Sequence, residues 1–94
     1  MTWFVVRHQV EDYARWKAAF DEHCGIRTAW GLHGGYVMRS ADNPNEVVVA
    51  VQADDLAKAR AFAQTDDLRD AMRRAGVIGQ PEIQYLEVAE ELAA

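Results

Sequence analysis

The chain has 94 residues, half of them hydrophobic, 10% aromatic and 27% charged, with a formal net charge of −5. A chain of this length has surface for only one hydrophobic core, so a single domain over residues 1–94 is expected. Its Lys and Arg residues are scattered among acids rather than gathered on a basic face, which argues against nucleic acid as a partner. Cys24 is the sole cysteine, so no internal disulfide is available. No apolar run reaches the ~20 residues of a membrane helix, and the first residues read as a strand rather than a secretory leader. The expected address is the cytoplasm, with no membrane contact.

Residues 2–10, TWFVVRHQV, alternate as a strand. Phe4, Val6, His8 and Val10 share one face and Trp3, Val5, Arg7 and Gln9 the other. Tyr13, Trp16, Phe20 and Cys24 then recur at helical spacing, which predicts a helix over 11–24 that stops at Gly25. Residues 26–35 read as a connection punctuated by Gly31, Gly34 and Gly35. Two strands, Tyr36–Ser40 and Glu46–Ala53, flank the turn ADNPN and form a hairpin. Asp54 or Asp55 caps a second helix carrying Leu56, Ala59 and Ala63. Thr65 caps a third, with Leu68, Ala71, Met72 and Ala75 as its stripe and Gly76 as its stop. The last strand follows Pro81.

The order is βαββαβ, a ferredoxin-like α+β fold: a four-stranded antiparallel sheet with helices on one face. Strands 2–10, 46–53 and 82–90 carry apolar residues on both faces. Helices cover one face, and stacking on a second copy would remove the other from water, so a homodimer is expected. Val5, Val47 or Val48, and Leu86 or Ile83 are the candidates for that contact, with the parity open.

The segments VRHQVEDYARWKAAFDEH, DNPNEVVV and DDLAKARAFAQTDDLRDAMRRAGVIGQPEI together resemble the dimeric α/β-barrel group of small bacterial proteins. That group includes antibiotic-biosynthesis monooxygenase-like, polyketide cyclase-like and YciI-like proteins. The resemblance implies a barrel formed by two four-stranded sheets and a ligand pocket between helices and sheet. It also implies activities that range from cofactor-independent oxygenation to ring closure and heme degradation. The second and third helical segments contain no histidine, so the heme-ligating pattern is missing.

His8 shares its face with Phe4, Val6 and Val10 and is the candidate general base, imidazole being the usual proton acceptor near neutral pH. The plainer alternative is a core histidine satisfied by one backbone carbonyl. Tyr36 and Tyr85, with Arg39, are the candidate catalytic partners that would steady an oxyanion. Tyr13, Trp16, Phe20, His23, Trp30, Met38, Phe62 and Met72 are the candidate substrate-binding set, an aromatic and sulfur lining suited to a flat molecule. A helix over 11–24 spans about 18 Å, which separates His23 from His8 too widely for a shared metal or relay. His23, Cys24 and His33 follow no metal-ligand spacing, so no metal is expected, and no cofactor. Arg27 and Arg39 lie nearest the glycine-rich connection and suit an acidic group or plain solvation. The glycines lack the spacing of a phosphate loop.

The function expected is a small cofactor-independent enzyme acting on an aromatic or polyketide-like molecule, of cyclase or monooxygenase type. The alternatives are a homodimer that binds a small hydrophobic ligand without turnover, and a structural homodimer whose pocket is filled by its own side chains.

Overall fold

The computed structural model describes all 94 residues. Its elements are β1 (Thr2–Val10), α1 (Tyr13–Glu22), α2 (Cys24–Ala29), β2 (Leu32–Arg39), β3 (Glu46–Ala53), α3 (Leu56–Ala63), α4 (Asp66–Arg74) and β4 (Val77–Glu87). The four strands form one sheet in the order β2-β3-β1-β4, with every neighbouring pair antiparallel. This is the ferredoxin-like α+β arrangement.

Local signals start the helices. Asp12 accepts from the Ala14 amide at 3.0 Å, Asp55 from Ala57 at 2.8 Å, and the Thr65 hydroxyl from Leu68 at 3.2 Å. Each satisfies an amide that has no carbonyl within its own helix. Asp55 rather than Asp54 is the cap of α3, and Asp54 instead meets His33 at 2.7 Å. Between helices and sheet lies a core built from Phe4, Val6 and Val10 of β1, Val47, Val49 and Val51 of β3, and Trp16, Phe62 and Leu68 from the helices.

Three boundaries differ from the sequence reading. Gly25 does not end the first helix. The chain bends at His23 and runs on as α2, and Gly31, at φ 79°, is the glycine that ends it. Strand β2 begins at Leu32, four residues early, because its glycines form a bulge inside the strand. The β2–β3 register shifts between His33 and Tyr36. Strand β4 begins at Val77, before Pro81. Its ladder with β1 breaks so that Gly79, Gln80 and Pro81 lie opposite His8 alone, a place where an edge strand tolerates proline.

The outer face of the sheet carries Trp3, Val5, Tyr36, Met38, Val48, Ala50 and Leu86. Tyr36 stacks on Trp3 with ring centroids 6.2 Å apart and stays 66% exposed. The sheet's alternation divides the candidate residues between its two faces. Val5, Val48 and Leu86 face outward, whereas Val47 and Ile83 pack into the core.

Gly35 adopts φ 94°, and a Cβ there would sit 1.8 Å from the Ala50 carbonyl oxygen. Gly35→Ala should therefore destabilise by at least about 1–3 kcal/mol, the range for forced backbone strain. A melting curve lowered by several degrees would match this, and an unchanged one would refute the close approach.

Candidate active site

An apolar chamber of about 70 Å³ lies between the sheet and helices α1, α3 and α4. Its sheet wall is Phe4, Val6 and His8 of β1 with Val49 and Val51 of β3. Its helical walls include Trp16, Phe20, Phe62 and Met72, and its only polar wall residues are His8, His23 and Arg27.

His8 reaches the chamber because β1 is central and alternates strictly. Val6 and Val10 flank it on the same face, and Val47 pairs beside it on β3. The imidazole is 6% exposed and tilts against Trp16 with centroids 5.5 Å apart. Neither Nδ1 nor Nε2 has a hydrogen-bond partner. The backbone carbonyl expected to satisfy a core histidine is not within hydrogen-bond reach. Buried polar groups are nearly always paired, and an orphan of this kind calls for an explanation. Burial pushes its pKa below the ordinary 6.5, so the ring is neutral at pH 7 and one nitrogen keeps a free lone pair.

His23 lines the same chamber, where its ring lies over Phe62 at 6.2 Å. His8 and His23 share a chamber, although no hydrogen bond joins them. Desolvation, then the Arg27 charge, pushes the His23 pKa down.

Arg27 is the wall residue the sequence reading undervalued. Its guanidinium lies 3.6 Å over the Phe20 ring and donates to the Phe20 carbonyl at 2.7 Å. Burial lowers its pKa from the usual arginine value. A signal for it was present: Trp16, Phe20, His23 and Arg27 continue one helical stripe past Gly25. Reading Gly25 as a stop cut that stripe short.

Of the expected site residues, His8, Trp16, Phe20, His23, Phe62 and Met72 come together at the chamber. The others do not line it. Tyr36 and Met38 stand on the opposite face of the sheet, so neither reaches His8 within this chain. The strand alternation that turns Val37 toward the core turns both of them out. Tyr85 faces the helices but packs on Phe4 at 5.6 Å beneath Arg60. Arg39 lies 3.9 Å over Tyr13 and donates to the Pro44 carbonyl, which ties both to the rim. Tyr13 in turn supports Trp16, and Trp30 backs Phe62 at 5.7 Å. Cys24 is exposed, and no cluster of three or more His, Cys, Asp or Glu side chains forms a metal-holding group. No helix is long and apolar enough to cross a membrane.

A sheet ordered β2-β3-β1-β4 with an aromatic chamber beneath its helices has close counterparts among solved structures. A Bordetella bronchiseptica protein assigned by name to the antibiotic biosynthesis monooxygenases superposes with a TM-score of 0.79 at 15% identity, over 95% of this chain and 97% of that one. The fold is that of the antibiotic biosynthesis monooxygenase-like proteins. SnoaB, a cofactor-independent oxygenase from Streptomyces nogalater, matches with a TM-score of 0.75 at 16% identity, over 99% of this chain and 97% of its own. A Caulobacter crescentus protein named for the same group matches at 0.71 and 19% identity, over 95% and 90%. No protein-family model matches the sequence, and neither does any curated protein sequence.

The depressed pKa values of His8 and His23 make stability pH-dependent. The unfolded chain takes up protons as pH falls through about 6.5, whereas the folded chain resists protonation until lower pH. Both histidines thus contribute stability that is present above about pH 6.5 and lost as pH falls. Melting temperatures measured from pH 8 to 5 should fall at the acid end. His8→Leu should flatten that decline, leaving the share of His23, and an unaltered slope would show that His8 is not held neutral by burial.

Proposed function

We propose that the protein is a small enzyme that accepts an aromatic or polyketide-like molecule and takes a proton from it with His8. The observation that carries this reading is the buried imidazole with two unpartnered nitrogens in an otherwise aromatic and aliphatic wall. A neutral imidazole in a dry site is well suited to remove a proton from a phenol or an activated carbon. The product is a delocalised anion, and both ring closure and attack on dioxygen start from such a species. The fold shared with SnoaB, described as a cofactor-independent oxygenase, supports the oxygenation branch. The aromatic wall of Trp16, Phe20 and Phe62 offers a flat ring an apolar surface to pack against.

A second reading is a binding protein that uses the same walls without turnover; the chamber's small volume favours instead a structural homodimer whose pocket its own side chains largely fill. The two readings diverge at His8. His8→Gln in the enzyme should lower turnover of an acidic polycyclic phenol by about 10²–10⁴ while the fold persists. Circular dichroism and product formation measured on the same preparation would decide between them. Undiminished specific activity in the folded variant would end the catalytic assignment.

The proposal includes a homodimer stacked through the outer sheet face. Trp3, Val5, Tyr36, Met38, Val48 and Leu86 together leave that face too apolar for a comfortable contact with water. A stable contact of this type buries roughly 1,200–2,000 Å². Sedimentation at micromolar concentration should give about twice the 10.6 kDa chain mass, and Val5→Asp should return the monomer. A wild-type monomer under those conditions would refute the stacking.

A further inference from the structure

We infer that the site takes a flat, anionic ring compound that spans the chamber and an adjoining cleft, with its negative group held by the Arg27 guanidinium. The inference rests on the chamber being a ligand site, as proposed above. It adds the ligand's charge and its route.

Size comes first. An apolar cavity of roughly 150 Å³ accommodates benzene, and the chamber holds about 70 Å³. A ring system therefore cannot reside wholly beside His8. A second space of about 330 Å³ opens between α2 and β2, bounded by Cys24, Thr28 and the Gly34–Gly35 bulge. Phe20, Arg27, Val49 and Val51 wall both spaces. The Phe20–Arg27 stack thus stands where the two spaces adjoin.

The cleft also has an open floor. Gly35 has no room for a side chain, and a Cβ on Gly34 would meet nothing within 4 Å. The bulge brings bare backbone to the place where a planar molecule would slide in. Trp16 and Phe20, stacked on each other at 4.9 Å, form a closed aromatic wall at the inner end of the cleft.

Charge follows from what Arg27 lacks. Arg7, Arg15, Arg69 and Arg73 each meet a carboxylate; Arg27, Arg39, Arg60 and Arg74 make no salt bridge, and of these four Arg27 alone lines the chamber. Its one protein acceptor is the Phe20 carbonyl, and four N–H donors remain. A half-buried guanidinium without a counter-ion favours a ligand that brings one, and a carboxylate matches its fork. Arg27 is in this sense a specificity residue, while His8 remains the reacting base.

The test uses 2-naphthoate and its neutral analogue 2-naphthamide, titrated calorimetrically into the full chain. Wild-type protein should bind the carboxylate about tenfold more tightly than the amide. Arg27→Gln should erase that preference while still binding the amide, which shows that the pocket is intact. Thr28→Trp, which fills the cleft, should weaken both probes about tenfold. A carboxylate preference that survives Arg27→Gln, an affinity indifferent to Thr28→Trp, or no binding of either probe by the wild type would overturn the inference. His8→Gln should keep the charge preference. Failure of proton transfer and failure of the anion anchor are thereby read separately.

Discussion

The alternation of β1, held between β3 and β4 in an antiparallel register, decides which side chains meet the helices and which meet the outer face. Phe4, Val6, His8 and Val10 point one way and Trp3, Val5, Arg7 and Gln9 the other. A slip by one residue would exchange the two sets, bringing Arg7 under Trp16 and exposing Phe4. The valines of β3 lock the register from one side and the β4 ladder from the other. His8 is placed as firmly as the core itself, and its burial follows from a packing rule.

That rigidity has a cost. A buried imidazole with no partner forgoes hydrogen bonds it would make in water, a penalty of about 1–3 kcal/mol. A domain of 94 residues has little stability to spare. The aromatic contacts around the chamber offset the penalty: Trp16 against His8, Phe20 against Trp16, Phe62 against Phe4 and Trp30. Arg27 completes the same surface by covering Phe20 and donating to its carbonyl, which also accepts from the His23 amide at the bend. One residue thus serves helix end, ring stack and chamber wall.

Much of this was legible in the residues, and the parts that were not share a cause. The inward face of the first strand, the strand Glu46–Ala53 and the cap at Thr65 rest on local periodicity and capping chemistry, and the structure keeps them. Glycines and a proline misled wherever tertiary pairing overrode their local meaning. Gly25 sits inside a helix, Gly34 and Gly35 lie within a strand, and Pro81 falls in the middle of β4. The candidate site residues divide along the same line. His8, Trp16, Phe20, His23, Phe62 and Met72 were placed by patterns that survive folding. Tyr36 and Met38 sit in a strand whose glycine bulge and outward alternation residue type alone does not reveal. Tyr85 and Arg39 are occupied elsewhere, Tyr85 by Phe4 and Arg60, and Arg39 by the distant Tyr13 and by Pro44 across its own hairpin turn.

The bulges at the two ends of the sheet bear on how the molecule lives among its own copies. Strands β2 and β4 are the edges, and a regular edge is a template on which another chain can add a strand. Each here is broken partway along, by Gly34–Gly35 on one side and by Gly79–Pro81 on the other. The second break also contains a proline, which offers no amide to a newcomer. Growth of the sheet sideways into ribbons or fibrils is discouraged at both margins. The apolar outer face suits a contact that stacks and closes instead, so the same irregularities that shape the cleft and the wall behind His8 also guard a crowded solution against open-ended polymer.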